Sequence, residues 1–166
     1  MTIKPLVHWL ASRARKQPCD TVVLHATAGS TFSGALSALK ARELSYHFII
    51  EDERETDGLV RKCVPYERVA FHAGVSEGPH GSGVNDYSVG ISFVNRNDGA
   101  DGYSLKQYEA CVRLILALKL VLPLKYITTH ALISPGRKTD PRKFEIDKMA
   151  KDCGLQLWSG PRSGTG

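Results

Sequence analysis

The sequence lacks several features that define familiar classes of protein. Its four cysteines include no pair at the C-x-x-C spacing of a zinc knuckle. It has no apolar run long enough to span a membrane, no internal repeat and no linker to a second domain. With 166 residues it is predicted to form one domain. We expect its cysteines to be buried free thiols, with a disulfide between two of them as the alternative. They are Cys19, Cys63, Cys111 and Cys153.

The beginning of the chain lacks the features of a secretory signal. Residues 1–18 contain neither a continuous apolar stretch nor a small-residue cleavage site, so we expect a polypeptide made in the cytoplasm that acts outside only after release. Apolar residues recur there at helical spacing beside Arg13, Arg15 and Lys16. This pattern predicts a basic N-terminal helix that forms part of the domain.

The charge balance favours an anionic partner without identifying it. The net charge is +5, which suits nucleic acid, a membrane surface or an acidic bacterial wall. The chain has no recognised nucleic-acid motif and only 8% aromatic residues, so we expect no nucleic-acid partner. The basic N-terminal helix would be either a solvated face or a peripheral contact with anionic wall or membrane.

Alternating apolar runs and helical patterns predict an α/β (α+β) fold. We expect a central mixed sheet of about five to six strands, flanked by helices, in a domain that covers residues 19–157. A Gly- and Ser-rich tail, residues 158–166, is predicted to be disordered. The predicted strands are residues 21–25, 45–50, 59–64, 69–74, 87–94 and 124–128, and the predicted helices are 31–43, 105–122 and 143–153.

A loop after the last predicted strand carries the residue types of a hydrolytic site. His130, Lys138 and Asp140 lie within eleven positions, in a segment whose prolines and glycine indicate a loop. His and Asp are ordinary Zn²⁺ ligands, and Lys can stabilise an oxyanion. The alternative is a solvated loop in which Asp140 pairs with Lys138 or Arg137. A third ligand elsewhere in the chain would decide for the metal.

His25, at the end of a predicted strand, offers that third ligand, and five short segments then occur in a known order. With them the sequence resembles the zinc-dependent N-acetylmuramoyl-L-alanine amidases, a family of phage lysis and cell-wall recycling enzymes related to the peptidoglycan recognition proteins. The resemblance covers roughly residues 21–151. The segments are Val-Val-Leu-His at 22–25, Tyr-His-Phe-Ile-Ile at 46–50, Phe-His-Ala-Gly at 71–74, Asn-Asp-Tyr-Ser-Val-Gly-Ile at 85–91, and Thr-His at 129–130 with Gly-Arg-Lys-Thr-Asp-Pro at 136–141.

The resemblance implies a catalytic zinc site. It places the Zn²⁺ ligands at His25, His130 and Asp140, which leaves one tetrahedral position for water. It places the oxyanion-stabilising lysine at Lys138 and the active-site tyrosine at Tyr46. Without the motif, Tyr46 on an alternating strand would be read as a core aromatic residue that lies on the same face as Phe48 and Ile50.

Other positions are assigned less directly. The resemblance puts His72 near the substrate groove, where it either contacts substrate or forms a structural hydrogen bond. Asn85 is a predicted substrate contact, with an Asx-turn as the alternative. His47, on the strand face opposite to Tyr46, is predicted to be a structural histidine. Ser92 stands where recycling enzymes carry a Glu that acts on the water, so the chain looks closer to phage lysis members.

Three classes of function follow. The first is hydrolysis of the amide between N-acetylmuramic acid and L-alanine in bacterial peptidoglycan by a monomeric phage-type lysis enzyme that acts on the cell wall. The second is a recognition module of the same fold that binds peptidoglycan without cutting it. The third is a basic nucleic-acid-binding or polymerase-binding protein, for which the charge is the one supporting feature.

Overall fold

Seven strands form one mixed sheet in the computed structural model, which describes residues 1–161. Neighbouring strands run parallel except β4 and β5, which are antiparallel. A separate antiparallel ribbon pairs β2 (Ser12–Ala14) with β6 (Arg68–Ala70). In spatial order the strands of the sheet are β1 (Ile3–Pro5), β5 (Val60–Lys62), β4 (Phe48–Ile50), β7 (Ser88–Phe93), β3 (Thr21–Ala26), β8 (Tyr126–Thr129) and β9 (Gln156–Leu157).

The predicted mixed sheet flanked by helices is confirmed, with more strands than the five to six expected. The two strands that the sequence pattern does not reveal are β1 and β9, at opposite edges of the sheet. They have three and two residues, which is too short for an alternating pattern to be recognised. Their place in the sheet is decided by pairing with β5 and β8.

Five helices complete the described part of the chain. The first, α1, begins after Thr31, whose hydroxyl accepts a hydrogen bond from the Gly34 amide, and the longest, α3, begins with a capping box between Ser104 and Gln107. Helix α3 ends four residues earlier than predicted. None of the described helices has the length and apolar character needed to cross a membrane. The helices are α1 (Phe32–Arg42), α2 (Val84–Tyr87), α3 (Leu105–Leu118), α4 (His130–Ile133) and α5 (Ile146–Cys153).

The two faces of the sheet have different tasks. Side chains alternate along a strand, so Val22 and Leu24 of β3 pack with α3 and α5 in the largest apolar cluster. Val23 and His25 point to the opposite face. In the parallel register His25 is paired with Ser92 of β7, which places both side chains on that second face. The first face stabilises the fold, and the second carries the candidate site.

The predicted N-terminal helix is wrong. Residues 1–18 contain β1 and β2 and no helix. The amides of Leu6 and Leu10 donate to the carbonyls of Lys62 and Cys63, so the segment is held extended along β5. A short isolated helix is marginal in water, and pairing with an existing strand edge overrides the helical pattern. The helix on which the predicted wall or membrane contact depended is therefore absent from these residues.

The predicted disordered tail begins with an ordered residue. The Trp158 amide donates to the carbonyl of Ile127, and the Trp158 carbonyl accepts from the hydroxyl of Thr128. Its side chain packs against the apolar cluster that includes Val23. Residue 158 therefore continues the edge of the sheet. The part of the prediction that concerns residues 162–166 lies outside the described residues.

Candidate metal centre

His25 presents an unpaired ring nitrogen to the site. It lies next to the carboxyl end of β3 and is completely buried. Its Nε2 atom is 2.9 Å from Nδ1 of His72, while its own Nδ1 atom has no hydrogen-bond partner among the described residues. A buried polar atom without a partner is costly, which usually means that a ligand or an ion satisfies it.

His130 starts a short helix and not a loop. The Thr129 hydroxyl caps α4 by accepting from the Leu132 amide, so the expected loop begins one turn later. The His130 side chain is buried, and its Nε2 atom is 3.1 Å from the carbonyl oxygen of Ala73. Because a carbonyl only accepts, Nε2 carries the proton in this contact, and Nδ1 of the neutral ring has a free lone pair.

Asp140 brings the third ligand to the two histidines. Its carboxylate oxygens lie 3.4 Å from Nδ1 of His25 and 3.1 Å from Nδ1 of His130. The Ala26 amide donates to its Oδ2 atom, and its carbonyl accepts from the Ala131 amide, so the end of the loop is attached to both histidine-bearing segments. The three ligand atoms lie within 4.8 Å of one another.

This geometry fits a zinc ion. Ligands about 2.1 Å from a tetrahedral zinc lie about 3.4 Å from one another, close to the separations of the Asp140 oxygens from both histidines. The Nδ1 lone pairs of the two histidines and the negative Asp140 carboxylate repel one another unless a cation lies between them. A cation there would also give the unpaired Nδ1 atom of His25 a partner. His25, His130 and Asp140 could therefore hold Zn²⁺ and leave a fourth position free.

The electrostatics keep His25 and Asp140 in the form that binds a metal. Burial lowers the pKa of His25 to about 4, against the opposing effect of Asp140, so its ring is neutral at pH 7. Burial alone would raise the pKa of Asp140, but its close contacts with the His130 and His25 rings outweigh burial and hold that pKa well below its ordinary value. The carboxylate is therefore ionised, and a metal need not displace a proton from it.

Tyr46 lies beside the candidate ligands. The centroid of its ring is 4.9 Å from that of His25. The predicted strand began at residue 45, but β4 begins at Phe48, so the alternation that grouped Tyr46 with Phe48 and Ile50 is wrong. Tyr46 instead packs with Ile49 on the site face. Burial and the nearby Asp140 charge raise the pKa of Tyr46 to about 12, so its hydroxyl stays protonated at neutral pH.

A cavity of about 420 Å³ lies next to the candidate ligands, and Lys138 is one of the residues that line it. Lys138 is half-buried, and within residues 1–161 no carboxylate forms an ion pair with it. The alternative of a salt bridge between Asp140 and Lys138 or Arg137 is therefore not what the structure contains. Helix α1 forms one side of the cavity, and two of the three candidate ligands, His130 and Asp140, also line it. Its lining includes Ala35, Ala38 and Leu39 of α1, together with Tyr46, His72, His130, Lys138 and Asp140.

The predicted substrate contacts differ in their placement. His72 borders the cavity but is buried, with Nδ1 on His25 and Nε2 3.1 Å from the Ser88 hydroxyl. Asn85 is not part of the lining, and its Oδ1 atom accepts from the amides of His72 and Ala73. Its contact with substrate stays a prediction, while its observed contacts hold the backbone.

His47 has the structural contacts predicted for it. Its Nδ1 atom accepts from the Gly90 amide, and its Nε2 atom lies 2.9 Å from the Arg68 carbonyl. Burial lowers the pKa of His47 to about 3. The face assigned to it is wrong, because its ring centroid is 6.0 Å from that of His72, on the same side of the sheet as Tyr46.

Two arginines have roles that the sequence pattern does not reveal. The predicted N-terminal helix would have left Arg15 on an exposed basic face. In the structure its guanidinium instead donates to four backbone carbonyls. Arg137 was expected to form a salt bridge with Asp140 within the loop. It donates instead to the carbonyls of Ala73 and Val75 and to the Ser134 hydroxyl. These acceptors are mainly backbone atoms, which every residue has, so no sequence signal identifies them.

Comparison with known proteins identifies the family. Residues 15–143 match the sequence profile described as N-acetylmuramoyl-L-alanine amidase. The chain belongs to this amidase family. The match includes the three candidate metal ligands as well as Tyr46 and Lys138, and it confirms the resemblance found in the sequence.

Two curated proteins of Escherichia coli K12 are similar to this chain in sequence. The 1,6-anhydro-N-acetylmuramyl-L-alanine amidase AmpD is 37% identical over 89 residues, 51% of this chain and 46% of that protein. The N-acetylmuramoyl-L-alanine amidase AmiD is 28% identical over 149 residues, 82% of this chain and 54% of that protein. The chain thus spans about half the length of these curated relatives.

Solved structures of the amidase family have the same fold. The complex of E. coli AmiD with anhydro-N-acetylmuramic acid-L-Ala-D-gamma-Glu-L-Lys aligns with a TM-score of 0.71 at 26% identity, over 86% of this chain and 60% of that chain. The amidase LysC from Clostridium intestinale URNW aligns with a TM-score of 0.75 at 20% identity, over 94% of this chain and 99% of that chain. The second likeness concerns the fold alone.

Proposed function

We propose that this protein is a zinc-dependent hydrolase that cuts the amide bond between N-acetylmuramic acid and L-alanine in bacterial peptidoglycan. The proposal depends above all on the convergence of His25, His130 and Asp140 within 4.8 Å of one another, with His130 and Asp140 also lining the cavity. The names of the related AmpD and AmiD, and the muramyl peptide in the AmiD complex, support this choice of bond.

Each residue of the proposed site has a chemical task. When bound, zinc supplies a Lewis acid for the scissile carbonyl and lowers the pKa of a water molecule. Lys138 stabilises the negative charge that develops on the carbonyl oxygen. Tyr46 keeps its proton, since its pKa is raised to about 12, and therefore acts as a hydrogen-bond donor to that charge and not as a base.

We propose further that the substrate is the polymeric wall, as for a phage-type lysis enzyme. This choice depends on Ser92, which stands where the resemblance places the Glu of recycling enzymes. Ser92 is buried on the site face, and its hydroxyl has no hydrogen-bond partner among the described residues. A serine hydroxyl is no proton acceptor at neutral pH, so Ser92 does not take the place of that Glu, and the catalytic side chains of the proposed site are Lys138 and Tyr46.

A comparison of two substrates tests this finer proposal. Purified protein with zinc is given either intact peptidoglycan sacculi or a soluble 1,6-anhydro-muramyl peptide, and free stem peptide is measured in both. Faster release from sacculi supports the lysis-type assignment, with His130→Ala as the inactive control. Faster release from the soluble fragment would reassign the protein to recycling. Binding to sacculi without release would favour a recognition module.

A further inference from the structure

Both histidines of the metal centre are held by one two-residue segment. Nε2 of His25 is 2.9 Å from Nδ1 of His72, and Nε2 of His130 is 3.1 Å from the carbonyl oxygen of Ala73. These contacts lie on the side of each ring opposite to the Nδ1 atom that faces Asp140. The segment His72–Ala73 therefore contacts the Nε2 atom of both candidate ligands.

The hydrogen bonds that connect Ser88, His72 and His25 have directions that follow from the contact between Ser88 and the backbone. The Ser88 hydroxyl donates to the carbonyl of Val84 at 2.6 Å, because a carbonyl only accepts. The same hydroxyl oxygen lies 3.1 Å from Nε2 of His72 and must accept there. His72 is then protonated on Nε2, and its Nδ1 accepts from Nε2–H of His25. The proton of His25 is thereby placed on Nε2, which leaves Nδ1 for the metal.

The segment is itself fixed from several sides. Oδ1 of Asn85 accepts from the amide of His72 at 3.1 Å and from the amide of Ala73 at 2.9 Å. The guanidinium of Arg137 donates to the carbonyl of Ala73 at 3.0 Å, beside the bond from His130. Two side chains distant in sequence thus hold the backbone of these two residues.

Gly90 makes room for the His72 ring. A Cβ atom at position 90 would lie 2.6 Å from Cγ of His72 and 2.8 Å from its Nδ1, closer than van der Waals contact allows. The amide of Gly90 is bonded to Nδ1 of His47 at 3.0 Å, so the strand cannot move away without losing this bond. Any larger residue at position 90 would displace the ring that holds His25.

We propose that the His72–Ala73 segment is the positioning element of the metal centre. It sets the tautomer of His25 through the side chain of His72 and the tautomer of His130 through the carbonyl of Ala73. In this account His72 is a positioning residue and not a substrate contact. The proposal rests on the proposed zinc site, but the tautomers that it predicts belong to the protein itself and can be measured without metal.

Nitrogen-15 NMR of the histidine rings in metal-free protein at pH 7.5 tests the proposed hydrogen-bond directions. We expect His25, His72 and His130 all to be protonated on Nε2. In Ser88→Ala the acceptor for His72 is lost, and we expect the His72 signal to move towards the other tautomer or a mixture. A His25 ring protonated on Nδ1 in the parent protein would overturn the proposal, whether or not the protein binds zinc.

Zinc affinity, measured by competition with a chromophoric chelator, tests the consequence. His72→Leu removes the acceptor, and His72→Asn keeps an acceptor oxygen close to the position of Nδ1. Loss of such an outer partner typically costs about 10- to 100-fold in metal affinity. We expect that loss in His72→Leu and in Gly90→Ala, recovery of most of it in His72→Asn, and no change in the exposed control His8→Leu.

The outcomes separate this proposal from the proposed function. If the parent protein binds zinc and His72→Leu binds it equally well, the positioning role is wrong and the zinc site stands. If KM for peptidoglycan rises in His72→Leu while zinc affinity is unchanged, His72 is a substrate contact. If the parent protein binds no zinc, the proposed function fails, and the tautomers alone decide the positioning role. Should His72→Leu fail to fold, Gly90→Ala and Ser88→Ala give the same comparison.

Discussion

Nδ1 of His47 accepts the backbone N–H of Gly90 at 3.0 Å, and through this bond a buried histidine holds the strand on which the His72 ring rests. On its other side, Nε2–H of His47 donates to the carbonyl of Arg68 at 2.9 Å. The bond from Gly90 requires the neutral ring, because a protonated Nδ1 cannot accept. Burial lowers the pKa of His47 to about 3, against the opposing effect of the bond to Arg68. His47 thus connects the stability of the central sheet to pH.

We predict that acid weakens the fold through His47. In the unfolded chain the ring titrates near pH 6.5, whereas in the folded protein its pKa is about 3. The unfolded state therefore binds more protons between these values, so the stability contributed by the neutral ring is complete above about pH 6.5 and is lost as the pH falls towards 3. The expected slope for one histidine approaches about 1.4 kcal/mol per pH unit.

Urea unfolding of metal-free protein between pH 4 and 6 measures this effect. His47→Asn keeps an acceptor for the Gly90 amide and removes the titrating ring, so its free energy of unfolding should depend less steeply on pH than that of the parent. Equal slopes would mean that His47 does not remain neutral in the folded state. A chelator in all samples removes the separate effect of metal binding.

Lys138 and Tyr46 are predicted to act on the reaction and not on the metal. Lys138→Ala and Tyr46→Phe should keep one zinc per chain, because neither residue is among the three grouped ligands. Loss of an oxyanion donor typically lowers the rate by about 10²- to 10³-fold. Zinc content and initial rates of stem-peptide release provide the measurement, with Lys40→Ala on the exposed side of α1 as control. Full activity in both site variants would remove them from the mechanism.

The Ser92 hydroxyl is predicted to contribute little to catalysis. It is buried without a hydrogen-bond partner in the described structure, so Ser92→Ala removes an unsatisfied polar group. We expect the free energy of unfolding to stay the same or rise by about 1 kcal/mol, with less than about a tenfold change in rate. Thermal unfolding and the same peptide-release assay check both parts. A hundredfold loss of rate with zinc retained would instead make Ser92 a working residue of the site.

Arg15 is predicted to be a structural residue. Its guanidinium donates to the carbonyls of Tyr66, Arg68, Asp86 and Ser88, and the last of these begins β7. Arg15→Met leaves these acceptors without their charged donor, and we expect a loss of roughly 3 kcal/mol in the free energy of unfolding.

Arg13→Met is the matched control for this variant. Arg13 is an exposed residue that pairs with Asp86, and exposed pairs contribute about 0–1 kcal/mol. Chemical denaturation of both variants gives the comparison. Equal losses in the two variants would show that the backbone contacts of Arg15 add nothing to an ordinary surface pair.

The sequence predicts this molecule best where side-chain identity carries the information. The order of short motifs pointed to His25, His130 and Asp140 as a set, and the structure brings these side chains together. Alternation along β3 likewise assigns Val22 and Leu24 to one face and His25 to the other.

Prediction failed where backbone atoms and neighbouring strands decide. The alternation of side chains between the two faces of β4 does not extend back to Tyr46, because the chain bends at His47. The His47 ring is fixed by backbone groups of Gly90 and Arg68. The first residues become strands because they pair with β5 and β6, which no local pattern reveals. The acceptor of His130 is the carbonyl of Ala73, a group that any residue would supply.

Zinc-dependent amidase activity is tested most directly by digestion of purified peptidoglycan, analysed by mass spectrometry, with and without chelator and zinc. We expect free stem peptides that begin with L-alanine, lost on chelation and restored by zinc, and none from His130→Ala. Products cut at a sugar linkage or within the peptide, or release that continues unchanged in the presence of chelator, would contradict this expectation.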